Sequence, residues 1–193
     1  MFSTGVFRAR VPWHTLRVTA IVVTGGHGPE RSIVEPYLEG ASFVCACDSG
    51  FDLALDLDLD LDLVVGDMDS ISDQSLLYSI PPERILRFDQ DKDETDTEIG
   101  IRVARERGAS DIIVVGGGGG RLDHLLGILS IFHRNPLVRM WLTDNDEVVQ
   151  ITDRYERRVL AGAVVSFFPL ARERCTMHSR GLQWPLDQLE RTL

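Results

Sequence analysis

The stretch LALDLDLDLDLVVGDMDS, residues 53–70, decides how the chain is read. As one strand, its Leu/Asp alternation would place every Leu on one face, giving an acidic edge strand or a low-complexity segment. Its flanks favour a different division. Leu53 and Leu57 lie four apart and can share a buried helical face, so residues 51–57 read as a helix leaving a loop at Asp48. Residues 58–61 then turn the chain, and DLVVGD, residues 62–67, forms a strand that ends in acids. On this division the repeat's own aspartates are solvated surface rather than calcium ligands, and the chemistry begins at Asp67.

Outward from this stretch, strand and helix patterns alternate. VTAIVVTGG (18–26) is a β-branched run ending in glycines, the pattern of a strand buried on both faces. PERSIVEPYLEG (29–40) follows as a helix, with Pro29 near its start and Gly40 near its end. SFVCACDSG (42–50) is a second apolar run ending in an acid. TDTEIGIRVARERG (95–108) predicts a helix whose Thr95 and Glu98 fit a capping box, with Ile99 and Val103 on a different face from Arg102 and Glu106. DIIVVGGGGGRLDH (111–124) is another strand running into glycines, and an apolar helix continues from it until Pro136. The alternation predicts an α/β fold with a mostly parallel sheet flanked by helices. From about residue 138 the runs become short and strand-like, which predicts a small all-β, sandwich-like domain. The expected division is an N-terminal extension over 1–17, an α/β nucleotide-binding domain over 18–137 and a β domain over 138–193.

Composition narrows the function classes. The chain has 193 residues, with 20 Lys and Arg against 30 Asp and Glu, for a formal charge of −10. Such a balance argues against nucleic acid or an anionic membrane as partner. Phosphorylated substrates stay open, because acidic proteins handle phosphate through divalent metals. Three cysteines, with Cys45 and Cys47 on one strand face, suggest buried inert thiols in a reducing compartment. The N-terminal residues contain no apolar run of signal-peptide or membrane-span length, so cytoplasm is the expected location.

In an open parallel sheet, ligands bind outside the carboxyl ends of the strands. Asp48, Asp67 and Asp69 all fall at such ends. Acids there are often simple solvated turn residues. Three on neighbouring strands favour a hard cation such as Mg²⁺, and the period-two spacing of Asp67 and Asp69 lets both point one way if the strand continues. FDQDKDETD (88–96) adds acids before a helix, where Asp93 and Asp96 either serve the helix N-terminus or, on the functional reading, Asp96 completes the metal site and Thr95 meets a phosphate. The run Gly116 to Gly120 allows close backbone approach, and with the following helix start and Arg121 it suits phosphate. It is not a Walker A loop, since no Gly-Lys-Ser/Thr follows. His14, His27, His133 and His178 show no partner pattern, and Ser49, Ser70 and Ser179 show no nucleophile elbow.

The ordered set Asp48-Ser-Gly50, Gly66-Asp-Met-Asp-Ser70, Lys92-Asp-Glu-Thr-Asp96 and Gly119-Gly-Arg-Leu-Asp-His124 resembles the thiamine pyrophosphokinase (thiamin diphosphokinase) family. SFFPL (166–170) and GLQWPL (181–186) are similar to that family's C-terminal β domain. The resemblance covers about residues 18 to 187. It implies a homodimeric enzyme that uses Mg²⁺ to transfer the diphosphoryl group of ATP to thiamine, giving thiamine diphosphate and AMP. It implies Asp67, Asp69 and Asp96 as metal ligands and, with Arg121 and Asp123, as the catalytic set. Asp48, Ser70, Asp93, Thr95, Arg121 and His124 are the implied nucleotide contacts, and Asp123 and Trp184 the implied thiamine contacts. Asp67 or Asp123 is the implied general base. Ser49 replaces the glycine usual after the Asp. The family's further strand pair, with its Ser-Asn motif, does not follow residue 186, so the β domain reads as shortened. Pyrophosphoryl transfer to another acceptor, and a non-catalytic ATP-binding module of the same fold, are the alternatives.

Overall fold

The computed structural model of the chain describes residues 18–91, 93–170, 175–187 and 189–191. The expected N-terminal extension, with His14, and Lys92 of the Lys92–Asp96 motif lie outside them. The chain divides into one compact unit that runs to Gln150 and a second that begins at Ile151.

The first unit is built on a seven-stranded sheet of order β4-β3-β2-β1-β5-β6-β7. Its strands are β1 (Thr19–Thr24), β2 (Ala41–Cys47), β3 (Leu63–Gly66), β4 (Ile85–Arg87), β5 (Asp111–Val115), β6 (Val138–Leu142) and β7 (Glu147–Val149). All neighbours are parallel except β6 and β7. The central strands β1, β2 and β5 are largely apolar and buried over most of their length, because helices cover both faces. Helices α1 (Arg31–Leu38) and α2 (Gly50–Asp56) follow β1 and β2, and bury Val34, Phe51 and Ala54 in one cluster with Ile21, Val23, Val44 and Ala46. Helix α3 (Asp96–Glu106) lies over the opposite residues of the same strands, where Gly100 meets Val22 and Cys47. The predicted capping box is present: Glu98 N donates to Thr95 Oγ1 at 3.3 Å, and Thr95 N donates to the Glu98 carboxylate at 3.0 Å. Helix α4 (Leu122–Arg134) links β5 to β6.

The Leu/Asp repeat divides as its spacing predicts, with α2 ending at Asp56 and β3 starting at Leu63. The linker between them keeps a strict alternation: Leu57, Leu59 and Leu61 are buried in the core cluster while Asp58 and Asp60 face water. Each buried leucine is worth about 1.5–3 kcal/mol relative to exposure, so the leucines pin the linker to the core. The aspartates are not idle. Arg31 donates to the carbonyls of Leu57 and Asp58 and lies 3.5 Å from the Asp58 carboxylate, so it covers carbonyls that end α2. Asp62 accepts from Val44 N at 2.9 Å, and Asp52 accepts from Ser72 N at 3.0 Å.

One expectation changes. Residues 138–149 belong to the sheet, as β6 and β7, and not to the β domain; the unit boundary falls after Gln150 rather than at 137/138. The short length of β7 and its turn-rich flank mimic the following segment, whereas β6 (Val-Arg-Met-Trp-Leu) is a buried strand paired in parallel with β5. Strand β4, only three residues long and half exposed at the sheet edge, carries too little apolar pattern to be seen in sequence. In the second unit, the described residues contain one antiparallel pair, β8 (Cys175–Met177) with β9 (Leu189–Arg191). This pair belongs to the expected small β domain. Cys45 and Cys47 are buried and free, as expected, and the hydrogen bond with Cys45 and burial push the Cys47 thiol well up.

The packing makes one firm demand. A Cβ at Gly50 would sit 2.3 Å from the carbonyl oxygen of Val23 and 2.7 Å from its carbon, which are backbone atoms of the central strand. Gly50→Ala is therefore expected to destabilise the fold by about 1–3 kcal/mol, through a shift of α2 off β1. Chemical denaturation would read this, and an unchanged midpoint would refute the close approach.

Candidate active site at the carboxyl edge of the sheet

Strands β2 and β3, and the start of α3, deliver Asp48, Asp67 and Asp96 to one place. One carboxylate oxygen from each of these three residues lies within 4.8 Å of the others, all partly buried. The backbone is bent to achieve this. Asp48 follows β2 at φ 46°, and Met68 follows Asp67 at φ 67°, both in the left-handed region that only short polar residues and glycine enter easily. Met68 is nevertheless buried to 1% exposure, so packing holds the turn. Gly66 supplies the remaining room, since a Cβ there would be 3.1 Å from both Asp48 Cβ and Asp96 Oδ1. Asp48 Oδ1 is buried and has no hydrogen-bond partner, a costly state unless something else meets it. An all-carboxylate oxygen donor set suits a hard divalent cation. The residues present therefore fit Mg²⁺.

The expected ligand trio is altered in one member. Asp69 lies outside the cluster, where it accepts from Ser70 Oγ at 2.8 Å and from Gln90 Nε2. Period-two spacing fails here because β3 ends at Gly66 and Met68 turns the chain left-handed before Asp69 is reached. Asp48, which the strand-end pattern favours as a metal ligand and the resemblance implies as a nucleotide contact, lies in the cluster with Asp67 and Asp96. Ser70 and Asp93 are exposed. Thr95 is engaged in the capping box of α3.

The glycine run sits on the other side of β1. Gly117 N donates to Gly25 O at 3.0 Å, and Gly116 receives the indole of Trp141, whose Nε1 donates to its carbonyl at 2.8 Å. Arg121 is the N-cap residue of α4, and its guanidinium grips Asp123 with a two-pronged bond, 3.1 and 2.5 Å. That fork holds the Asp123 carboxyl well below the usual carboxylate range, at about 2. In this state Asp123 is a poor proton acceptor and Arg121 is already spoken for. Both are exposed, with His124 beside them, so an incoming phosphate can compete for Arg121. Trp184 lies in the second unit with 77% of its surface exposed.

Sequence reasoning passed over His27. Its side chain is exposed, its Nδ1 lies 3.9 Å from Asp144 Oδ2, and its backbone pairs with Gly118. Nothing in the local sequence marks it. Its partners come from the β5 loop and the end of β6, and only the strand order brings them to it.

Comparisons with known proteins bear on this arrangement. A family model described as thiamin pyrophosphokinase, catalytic domain, matches residues 34–142. Thiamine pyrophosphokinase 1 of Arabidopsis thaliana is 30% identical over 151 residues, 72% of this chain and 57% of that protein. Thiamine pyrophosphokinase of Bacillus subtilis (strain 168) is 24% identical over 185 residues, 91% of this chain and 85% of that protein. The crystal structure of thiamine pyrophosphokinase from Bacillus subtilis superimposes with a TM-score of 0.75 at 21% identity, over 91% of this chain and 85% of that one, and so shares the fold. The chain spans a little over half the length of the plant relatives it matches. The family model covers more than half of the chain, which therefore belongs to the thiamin pyrophosphokinase family. No helix among the described residues is long and apolar enough to cross a membrane.

The Arg121–Asp123 fork yields a direct test. In Arg121→Ala the Asp123 carboxyl loses the group that depresses it, so its pKa is expected to rise from about 2 toward the unperturbed value of about 3.9. A carboxyl-detected NMR titration of both proteins reads the change, and an unmoved midpoint would show that Arg121 does not set it.

Proposed function

We propose that this family member transfers the diphosphoryl group of ATP to the hydroxyl of thiamine, in a Mg²⁺-dependent reaction that yields thiamine diphosphate and AMP. The observation that carries the reading is the convergence of Asp48, Asp67 and Asp96 at the same sheet edge that ends in the glycine run and Arg121. Family membership supplies the reaction class.

On this reading Asp48, Asp67 and Asp96 would hold Mg²⁺, which neutralises charge on the polyphosphate when bound. Asp69 stands outside this cluster, its two carboxylate oxygens accepting from Ser70 and Gln90 at the exposed surface. The chain's own residues do the rest. The backbone of the glycine run and the start of α4 offer N–H groups to phosphate oxygens. Arg121 leaves Asp123 for the transferring group and steadies the negative charge that builds there. Asp123, released from the fork, regains basicity and becomes able to accept the proton of the attacking hydroxyl. The switch couples base strength to phosphate occupancy of Arg121: with the fork closed the carboxylate is too weak a base, and with it open the pKa returns toward the ordinary range. The active form is a homodimer, which light scattering would test.

Incubation of the protein with ATP, Mg²⁺ and thiamine should release AMP and thiamine diphosphate in equal amounts, and chelation of the metal should stop it. ADP as the nucleotide product would point to a different kinase and overturn the proposal. Asp67→Asn is expected to lower turnover by roughly 10²–10³-fold, the scale of losing one electrostatic element of a preorganised site. Asp69→Asn is expected to lose less, because Asp69 stands outside the cluster. Equal losses in the two variants, with unchanged circular dichroism, would place Asp69 among the ligands.

A further inference from the structure

The sheet reverses direction between β1 and β5. The crossover after β1 leads to β2 on one side, and the crossover after β5 leads to β6 on the other. In open α/β sheets the ligand crevice opens at such a reversal, outside the carboxyl ends of the two strands. Here the loops that leave β1 and β5 are stitched together. His27 N donates to Gly118 O at 2.6 Å and Gly118 N donates to His27 O at 2.9 Å. The backbone of residue 27 is thereby fixed over the glycine run.

The side chain is placed as firmly. A Cβ at Gly119 would lie 2.3 Å from His27 Nδ1, so the imidazole occupies the space that a side chain at 119 would fill. A Cβ at Gly118 would likewise lie 2.2 Å from Asp144 Oδ1. The two glycines thus admit a His–Asp pair, with Nδ1 3.9 Å from the Asp144 carboxylate. The Asp144 carboxylate therefore lies on the Nδ1 side of the ring. The far nitrogen, Nε2, belongs to a ring that is 74% exposed.

Position along the edge indicates what this ring meets. The β2 loop touches the β1 loop, for a Cβ at Gly25 would be 2.1 Å from Ser49 Oγ. From one side to the other, the edge therefore carries the acid cluster, then Gly25 to His27, then the glycine run with Arg121, then Asp144. A polyphosphate that reaches both the acid cluster and Arg121 has to cross the β1 loop.

We propose that His27, steadied by Asp144, binds the phosphate chain of the nucleotide at this crossing, with Nε2–H donating to a β- or γ-phosphate oxygen. The inference rests on the diphosphoryl-transfer reading above. It assigns His27 to phosphate and not to the adenine base, and it gives Asp144 a positioning role through the ring.

The test is calorimetric titration of the full chain with ATP and with AMP, in Mg²⁺ and without thiamine. Loss of a hydrogen bond to a charged group costs about tenfold or more in affinity, so His27→Ala should weaken ATP by roughly that factor and leave AMP unchanged. His27→Gln keeps an N–H donor of similar reach and should recover most of the loss. Asp144→Asn should weaken ATP by less than His27→Ala does. Unchanged ATP affinity in His27→Ala overturns the inference, as does an equal loss for ATP and AMP, which would mark a packing role on Gly119. If the wild-type chain binds neither nucleotide, the reading on which the inference stands fails and the inference falls with it; binding by wild type with no effect of His27 sinks the inference alone.

Discussion

Three carboxylate oxygens within 4.8 Å of one another are an electrostatic burden that the rest of the fold has to carry. Two unit negative charges about 4 Å apart repel by about 1 kcal/mol in bulk water and by about 4 kcal/mol at an effective dielectric constant near 20. A loose loop would relieve that repulsion by moving apart. Here each acid is anchored where movement is expensive. Asp48 N is bonded to Val65 O at 2.8 Å, directly at the end of the central sheet. Asp67 is locked between Gly66 and buried Met68. Asp96 begins α3, whose capping box and close contact at Gly100 fix it against β1 and β2. Left-handed backbone at Asp48 and Met68 adds local strain to the charge repulsion. A fold that keeps such an arrangement does so at a stability cost that a bound divalent cation would remove.

The same logic explains the glycines. Gly66 leaves room for the acids to converge, and Gly117 to Gly119 leave room for Ile128, Asp144 and His27 to press against the β5 loop. Side chains at these points would spread the loops and widen the crevice where the sheet reverses. The run is thus not a flexible spacer. It is a set of contact surfaces, tied to β1 by hydrogen bonds at Gly25 and His27.

Much of this was legible in the sequence, and the parts that were not share a cause. Local signals succeeded: the β-branched runs of β1, β2 and β5, the Thr95/Glu98 capping box, and the helix-turn-strand division of the Leu/Asp repeat each rest on residues within a few positions of one another. The acids at the strand ends were visible because strands of a parallel sheet end on one edge. Which acids meet was not visible, since that depends on a left-handed turn at Met68 that no spacing rule announces. Asp69 was therefore expected beside Asp67, whereas the turn carries it out of the cluster. Strand β6 was assigned to the wrong side of a boundary because a short antiparallel partner, β7, gives it the look of a hairpin domain. His27 was missed for the most basic reason, that its partners Gly118 and Asp144 come from other strands.

The charge balance of the chain ties these points together. A protein of net charge −10 repels a polyphosphate at long range. Near the acid cluster the repulsion is strongest, so a nucleotide can be held there only by a cation bound first or brought with it. Once that charge is neutralised, the remaining work is orientation, for which the site has a glycine-rich backbone, Arg121 on its fork with Asp123, and His27 over Gly119. Arg121 is engaged by Asp123 when no ligand is present, and His27 is backed by Asp144. Arg121 is therefore matched by a carboxylate in the resting chain, which keeps the edge free of unbalanced positive charge that stray anions would occupy. Phosphate must displace a carboxylate to gain Arg121. That competition favours a ligand able to engage the metal, the loop and the guanidinium together over one that offers a single phosphate, and it makes recognition of a polyphosphate a property of the whole edge rather than of any one residue.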